Sequence, residues 1–421
     1  MNDAHTYLGN VETGYGPEAV WLTQDERFTH AALLGASGSG KSHLLRQMAA
    51  ADIARGDGLL YFDPHNDDIA FLLDRIPPSR LNHVVLIDLA SLDFSVPFNV
   101  LECRHPDDRA RIADTLVSGL RDIWEAAWGP RLELLLRHSA LALLEMPGST
   151  IVHIAPLLTD DTFRERVVAR LSNPITRHFF SHRFDEWRSA FRSEAIEPLL
   201  TRLDSVLSFP AILHSLAQHR RTLSLEDAMQ GRRIVLVRLA RGVVGDTGAS
   251  FFGAILFARA RTAAMTRAQL APEDRVPFHI YVDEMQSVST ASIPAAMAEL
   301  RKYNVSVTVA TQVLATLPEK TRSAILGTIG TICAFRIGPE DAELIAARFG
   351  DLHRGFNPNL FNELATGEMV AKIAGRDARR VRTPLSSPAF GTAEIATRQA
   401  QRHFARPRAE VEPWVMKTLG G

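Results

Sequence analysis

A glycine-rich segment has the most specific chemistry in this sequence. Residues 35–42, hereafter the P-loop, are Gly-Ala-Ser-Gly-Ser-Gly-Lys-Ser and match the pattern G-x-x-x-x-G-K-[ST] at every fixed position. The glycines allow successive backbone N–H groups to face one anion, and a helix that starts near Lys41 adds its positive dipole end. The segment therefore predicts a site for nucleotide phosphates, in which Lys41 reaches the β- and γ-phosphates and the Ser42 hydroxyl binds Mg²⁺.

The predicted nucleotide-binding set is the P-loop together with the residue that follows it. Its members are Gly35, Ala36, Ser37, Gly38, Ser39, Gly40, Lys41, Ser42 and His43. The alternative is a Gly/Ser loop that ends in Lys-Ser by chance. Because the segment follows a predicted strand and opens a predicted helix, phosphate binding is favoured, and ATP and Mg²⁺ are the predicted cofactors.

Two acidic residues end a later apolar segment. Residues 278–284 are Phe-His-Ile-Tyr-Val-Asp-Glu. A buried parallel strand would place its last residues at the sheet edge where α/β proteins bind ligands. Asp283 is predicted to hold Mg²⁺ together with Ser42, and Glu284 is predicted to orient and polarise the attacking water. Solvated acids that cap a strand are the alternative, but beside a P-loop the second acid favours hydrolysis.

Three further polar residues could complete the reaction site. If the strand at residues 305–310 neighbours the strand of Asp283, Gln312 can sense the γ-phosphate, whereas a helix-capping role is the alternative. Arg301 is the first candidate, and Arg336 the second, for an arginine that neutralises charge on the transferred phosphate of a neighbouring subunit. A surface ion pair is the alternative for either arginine.

The elements that position these residues are predicted from hydrophobic periodicity. Short apolar runs alternate with helical patterns, which indicates an α/β fold with a mostly parallel sheet covered by helices on both faces. The predicted strands lie near residues 30–34, 58–63, 84–88, 233–239, 278–283, 305–310, 332–337 and 369–373. Between about residues 106 and 229 the pattern is helical throughout, which predicts an all-helical insertion. Residues 1–28 are expected to be a short polar lead-in.

Composition and charge limit the classes of function. The chain has 421 residues, of which 46% are apolar and 23% charged, and its formal net charge is −1. This size predicts one large or two ordinary domains with a sizeable core. The near-neutral charge argues against a static, non-specific coat on nucleic acid. It is compatible with a ring that concentrates arginine on an inner surface.

The cysteines, the N-terminus and the apolar runs predict a cytoplasmic location. Cys103 and Cys333 lie far apart in the sequence and suggest no disulfide framework, which fits a reducing compartment. We expect no signal peptide, because the first residues are polar. We also expect no direct membrane insertion, because no apolar run reaches the ~18 residues that a membrane span needs.

Several segments resemble the branch of hexameric DNA-pumping ATPases that contains type IV coupling proteins (TraG/TraD-like) and the HerA/FtsK proteins. Residues 61–67, Tyr-Phe-Asp-Pro-His-Asn-Asp, resemble its D-P-H-G-D segment, with Asn66 where glycine is usual. Residues 97–101, Pro-Phe-Asn-Val-Leu, resemble its F-N-P-L segment. Val-Asp-Glu at residues 282–284, Arg-Lys-Tyr-Asn at 301–304 and Ala-Thr-Gln at 310–312 follow in the order of that branch.

This resemblance implies a RecA-like P-loop NTPase core with an inserted all-α domain. It also implies a homo-hexameric ring with ATP sites between subunits, Arg301 acting across the subunit interface, and DNA in a central channel. The domains predicted on this basis are residues 1–103 and 231–383 as the two parts of the RecA-like nucleotide-binding domain, 104–230 as the inserted all-helical domain, and 384–421 as a C-terminal helix and tail.

The leading hypothesis is an ATP-driven DNA translocase, acting on single- or double-stranded DNA without sequence specificity, in conjugative transfer or type IV secretion. Alternatives are an ATPase that moves or unfolds proteins for a secretion system, and a HerA-like motor in DNA repair or phage defence. A membrane-bound or secretion-system partner is expected to hold the protein at a membrane. A scaffold that binds ATP without turnover is disfavoured by the intact Lys41, Asp283 and Glu284, and a small-molecule kinase is least favoured.

Residues that would touch DNA are less specific in sequence. The segment 238–248 contains two arginines and three glycines, and is either a pore loop or a flexible connector. Trp124, Trp128 and Trp187 could stack on the bases of a single strand, but tryptophan at helical spacing is more often part of a core.

Overall fold

A computed structural model describes residues 5–288, 292–350 and 356–419 of the chain. The chain divides into two compact units, which we call the sheet unit and the helical unit. The sheet unit comprises Met1–Leu86, Glu226–Arg238 and Ala264–Ala400, and the helical unit comprises Ile87–Leu225, Leu239–Ala263 and Gln401–Gly421. The domain boundaries expected at 103/104, 230/231 and 383/384 stay predictions, because compactness alone does not define a domain that folds independently.

Most strands of the described residues belong to one sheet. The strands are β1 (Thr6–Thr13), β2 (Gly16–Leu22), β3 (Ala31–Leu34), β4 (Gly58–Asp63), β5 (Val84–Asp88), β6 (Phe94–Ser95), β7 (Ile234–Arg238), β8 (Phe278–Val282), β9 (Val305–Thr311), β10 (Thr331–Ala334), β11 (Glu368–Ile373), β12 (Arg379–Arg382) and β13 (Arg406–Pro407). Eleven of them form a sheet in the order β2-β1-β12-β11-β10-β3-β9-β8-β4-β7-β5. Strands β10, β3, β9, β8, β4 and β7 are parallel, and β11, β12, β1 and β2 continue antiparallel.

Helices separate these strands along the chain. They are α1 (Gln24–Phe28), α2 (Lys41–Arg55), α3 (Asp67–Leu73), α4 (Arg109–Ile123), α5 (Pro130–Leu144), α6 (Ile154–Thr159), α7 (Asp161–Val168), α8 (Pro174–His178), α9 (Ser189–Leu207), α10 (Pro210–Leu216), α11 (Leu225–Gln230), α12 (Arg241–Thr266), α13 (Ser292–Leu300), α14 (Glu319–Thr328), α15 (Pro339–Phe349), α16 (Pro358–Glu363), α17 (Ala393–Phe404) and α18 (Arg408–Leu419). The run from α4 to α11 confirms the predicted helical insertion. Proline occupies the first helical position of α5, α8 and α10, where its missing N–H costs nothing.

The core of the sheet unit explains why the parallel strands were visible in the sequence. Every residue of β4, β8 and β9 is buried, and most residues of these strands are apolar. Helix α2 packs on them through side chains that include Leu44 and Leu45, neither of which is exposed. Burial of each such leucine contributes about 1.5–3 kcal/mol. This packing fixes the helix that carries Lys41 at its first position.

The expectation of a short polar lead-in at residues 1–28 is wrong. Strands β1 and β2 form a hairpin around residues 14–15, and β1 pairs with β12 at the antiparallel end of the sheet. Gly9 lies at a β-bulge with φ +137°, and a Cβ there would stand 1.9 Å from the carbonyl oxygen of Arg382. Only glycine permits this close approach of two backbones.

Two other expectations are corrected. The C-terminal segment contains two helices, α17 and α18, rather than one helix and a tail, and β13 between them pairs with β6. The segment 238–248 is not an open loop, because β7 ends at Arg238 and α12 begins at Arg241. Gly245, at φ 67°, kinks α12 near its start. Any DNA contact there would come from a kinked helix.

One helical stretch of the described residues is long and apolar enough, by length and composition, to cross a membrane. It is Arg241–Gln269, and 67% of its most apolar window is buried in the fold. A buried core helix passes the same test. Arg259 and Arg261 interrupt its apolar run. The stretch is therefore weak evidence for a membrane span.

Candidate nucleotide-binding site

The P-loop joins β3 to α2, as the sequence predicts. Backbone N–H groups fix its entry, since Gly35 donates to the Thr311 carbonyl at 3.2 Å and Ala36 donates to the Arg336 carbonyl at 2.8 Å. Gly40 has φ +112° immediately before the helix begins. This conformation is strained for any residue with a side chain, so the glycine of the motif is needed for the turn into α2.

A turn before β11 supports the P-loop from outside. The Gly367 N–H donates to the Ser39 carbonyl at 2.9 Å, and the Thr366 hydroxyl donates to the Gly38 carbonyl at 3.3 Å. A Cβ on Gly40 would stand 3.1 Å from the Gly367 backbone. These two hydrogen bonds fix the carbonyls of Gly38 and Ser39. The sequence motif does not reveal this support of the P-loop.

The acidic pair lies beside the P-loop, as predicted. Strand β9 lies between β3 and β8, and β8 ends at the same edge of the sheet as the P-loop strand. The Ser42 hydroxyl lies 3.3 and 3.4 Å from the two carboxylate oxygens of Asp283. A hydroxyl and a carboxylate are oxygen ligands of the kind that Mg²⁺ prefers, so the donor set at this edge fits that ion.

Charge near Asp283 is densely packed. Lys41 is 6% exposed and Asp283 is 5% exposed. Burial raises the pKa of Asp283, and the carboxylates of Asp63 and Glu284 raise it further, while Lys41 opposes the shift. A bound cation stabilises a buried carboxylate that has other carboxylates close to it.

Glu284 adopts an uncommon backbone conformation. Its φ is +52°, in the left-handed region, and its side chain is 7% exposed. The Gln312 amide Nε2 lies 2.5 Å from Glu284 Oε1, and His65 Nε2 lies 3.2 Å from the same oxygen. The condition placed on Gln312 is therefore met, because β9 pairs with β8 and brings its polar end to the acids.

The segment 63–68 contributes site residues that sequence reasoning left without a role. Asp63 Oδ1 accepts the N–H groups of His65 and Asn66, both at 2.8 Å, and its Oδ2 accepts that of Ile69 at 2.9 Å. Asp63 thus holds the turn between β4 and α3. The Asp-Pro-His-Asn-Asp segment is typical of a turn, so the sequence could have indicated the turn itself. The contact between His65 and Glu284 could not be found locally, because these residues lie more than 200 positions apart.

Asp68 is the second acid of this segment with an unusual environment. It is buried and accepts a hydrogen bond from the Tyr61 hydroxyl. Burial, followed by the charge of Asp283, raises the pKa of Asp68 to about 7, while Arg46 at 3.5 Å opposes the shift. Asp68 therefore has a raised affinity for a proton beside the predicted metal ligands.

The remaining predicted residues are not all brought to this cluster. The His43 ring lies 2.8 Å from the Pro384 carbonyl, so it contacts the segment after β12. Arg336 has an exposed side chain two residues beyond β10, and its carbonyl supports the P-loop. Arg301 lies in a short turn that precedes β9, at the opposite edge of the sheet. At about 3.3 Å per residue, that strand separates Arg301 from Gln312 by roughly 20 Å.

The sheet order, the P-loop and the acid pair place the described fold in the RecA-like P-loop α/β class with a helical insertion. The structure resembles the plasmid coupling protein TrwB in complex with ADP and Mg²⁺, with 17% identity, a TM-score of 0.64, and coverage of 91% of this chain and 95% of TrwB. A TrwB complex with a non-hydrolysable GTP analogue gives 18% identity, a TM-score of 0.65 and coverage of 87% and 88%. VirB4 of Thermoanaerobacter pseudethanolicus gives 14% identity and a TM-score of 0.62, with coverage of 90% of this chain and 96% of VirB4.

These likenesses concern the fold, since the identities are low. The predicted resemblance to the coupling-protein branch is confirmed at that level. No protein-family model and no curated protein matches the sequence.

Proposed function

We propose that this protein is an ATP-driven DNA translocase that hydrolyses ATP between the subunits of a ring. The observation that supports it most directly is the meeting of Ser42, Asp283 and Glu284 at one sheet edge beside the P-loop. A phosphate-binding loop, a Mg²⁺ ligand set and a carboxylate for water are the parts that ATP hydrolysis requires. The residues proposed for these parts lie on a fold shared with a plasmid coupling protein.

Each residue has a distinct part in the proposed reaction. The P-loop N–H groups and Lys41 bind the phosphates and stabilise charge that develops on them. Ser42 and Asp283 hold Mg²⁺, which supplies further charge neutralisation when it is bound. Glu284 orients the attacking water and accepts its proton. Gln312 connects Glu284 to β9 and responds to the γ-phosphate.

A DNA substrate is supported by the coupling-protein fold together with the order of motifs in the sequence. Phosphate contacts carry no sequence information directly, so a motor of this kind grips DNA of any sequence. The distance of Arg301 from its own site supports a ring, because a neighbouring subunit could present that arginine to the phosphates. We propose a homo-hexamer that works in the cytoplasm with a membrane-bound or secretion-system partner.

Stimulation by DNA is the first test of this proposal. Purified protein should hydrolyse ATP in the presence of Mg²⁺, and either single- or double-stranded DNA of arbitrary sequence should accelerate the turnover several-fold. Stimulation should weaken as salt rises, since phosphate contacts release counterions. The measurement is steady-state phosphate release with each DNA form and without DNA. Robust hydrolysis indifferent to both forms would contradict the DNA motor and favour an ATPase for protein substrates.

Subunit mixing tests the role of Arg301. An Arg301→Ala subunit and a Lys41→Ala subunit should each be inactive alone, and their mixture should recover part of the turnover. Recovery is expected because the Lys41→Ala subunit donates its intact arginine to the intact P-loop of its neighbour. The measurement is phosphate release across mixing ratios.

The matched control replaces the Arg301→Ala subunit with the double variant Lys41→Ala/Arg301→Ala, which leaves no intact P-loop and should give no recovery. If the first mixture stays inactive at every ratio, Arg301 does not act across the interface.

A further inference from the structure

His65 makes a contact that the proposed function does not use. Its Nε2 lies 3.2 Å from Glu284 Oε1, and the same oxygen accepts a hydrogen bond from the Gln312 amide. A carboxylate is an acceptor, so this partner selects the ring form that carries a hydrogen on Nε2. The predicted base is thus approached from two elements, β9 and the turn after β4.

The turn that carries His65 is fixed by the backbone. Asp63 is 1% exposed, and its carboxylate accepts three N–H groups of this turn and of the start of α3. Asn66 follows with φ +78°, a conformation that asparagine tolerates better than most residues. The backbone of His65 is therefore held firmly, while its side chain remains 53% exposed.

Glu284 needs such an anchor because of its own geometry. It follows β8 in a left-handed conformation, and a glutamate side chain has several freely rotating bonds whose freedom is lost when it is ordered. A base that wanders by about 1 Å can lose about 100-fold in rate. Donors from two different elements, Gln312 and His65, converge on Glu284 Oε1 and hold that oxygen more tightly than either donor would alone.

We infer that His65 is a positioning residue for Glu284, holding its carboxylate at the orientation from which it activates water. This inference rests on the proposed hydrolysis and adds a group to it. If Gln312 turns toward a γ-phosphate, His65 becomes the donor that keeps Glu284 in place. Asp63 then acts one step further back, by holding the turn from which the imidazole reaches Glu284.

Kinetics of two His65 variants test the inference. His65→Ala should lower kcat for ATP on the order of tenfold, with little change in KM, because positioning affects the reacting state and not ground-state binding. His65→Gln should recover most of that loss, since its side-chain amide can donate to the same carboxylate oxygen. The side chain is largely exposed, so neither change should leave a buried cavity or lower the melting temperature.

Two comparisons separate positioning from a general structural effect. Asp67→Asn alters an exposed residue of the same segment and should leave kcat unchanged. In a Glu284→Gln background, His65→Ala should cause no further loss in single-turnover rate, because the group that it positions is gone.

The outcomes are distinguishable from failure of the proposed function. If the wild-type protein does not hydrolyse ATP, the proposed function fails. If it does, a kcat of His65→Ala equal to the wild-type value overturns the positioning role. A His65→Gln variant as slow as His65→Ala overturns the hydrogen-bonding account, and a rise in KM without loss of kcat assigns His65 to nucleotide binding instead.

Discussion

Lys41→Ala is expected to abolish ATP hydrolysis, with a loss of at least about 100-fold in kcat. Lys41 is the first residue of α2 and is 6% exposed. Its positive charge acts on Asp283 and opposes the rise in the pKa of that carboxyl. Removing one preorganised group that stabilises charge in a transition state costs on the order of 100- to 1000-fold. Here the loss includes the only side-chain cation of the P-loop motif. Steady-state phosphate release with saturating ATP and Mg²⁺ measures the effect.

The control for this variant is a lysine outside the site. Lys417→Ala removes an exposed lysine of α18 and should leave basal turnover unchanged. Thermal melting of both variants checks that the fold persists. Turnover of Lys41→Ala within twofold of the wild-type rate would show that hydrolysis occurs elsewhere on the protein, and would remove the assignment of the P-loop.

The parallel core of the fold was predictable because burial on both faces leaves a strong signal in the sequence. Strands β4, β8 and β9 are buried along their whole length and most of their residues are apolar, and the sequence predicts each within one or two residues of its observed bounds. The P-loop was predictable for a different reason. Its glycines, lysine and serine are each required locally, so the whole motif lies within eight residues.

The outer antiparallel strands β1, β2 and β12 were not predictable from local pattern, whereas β11 was. Strand β1 carries only a weak alternation, and its partner β12 lies more than 350 residues away in the chain. The glycine at position 9 looks like a break in a strand, but it marks a bulge where two backbones meet. A partner as distant as β12 contributes nothing to a local window, and the weak alternation of β1 does not by itself predict its pairing with the adjacent β2.

In the candidate site, too, some features have a local sequence signal and others depend on residues that are distant in the chain. Asp283 and Glu284 end an apolar strand, so their edge position followed from the sequence. The left-handed backbone of Glu284 and its contact with His65 did not, because they depend on the turn after β4. Arg301 illustrates the opposite case, since the sequence placed it in motif order but only the strand direction shows that it lies at the far edge.

Glu284→Gln is expected to retain ATP binding while turnover falls by about 100- to 10,000-fold, the usual contribution of a general base. The substitution keeps the size of the side chain and an acceptor oxygen for Gln312, so the left-handed turn and the Asp283 ligand are preserved. It removes the charge that accepts a proton from water. The measurements are phosphate release and the affinity for a fluorescent ATP analogue in the presence of Mg²⁺.

Glu273→Gln is the matched control, because it makes the same chemical change at an exposed residue of the sheet unit. It should leave both binding and turnover at wild-type values. The two readouts assign Glu284 between distinct physical roles. Bound nucleotide with arrested turnover is what a base that acts after binding produces. Loss of nucleotide affinity would instead mean that the Glu284 charge, or the turn that it occupies, is needed to build the binding site itself. If Glu284→Gln turned over at the wild-type rate, the base would be another carboxylate at this edge of the sheet. Asp68, whose pKa is raised, would be the first candidate to test.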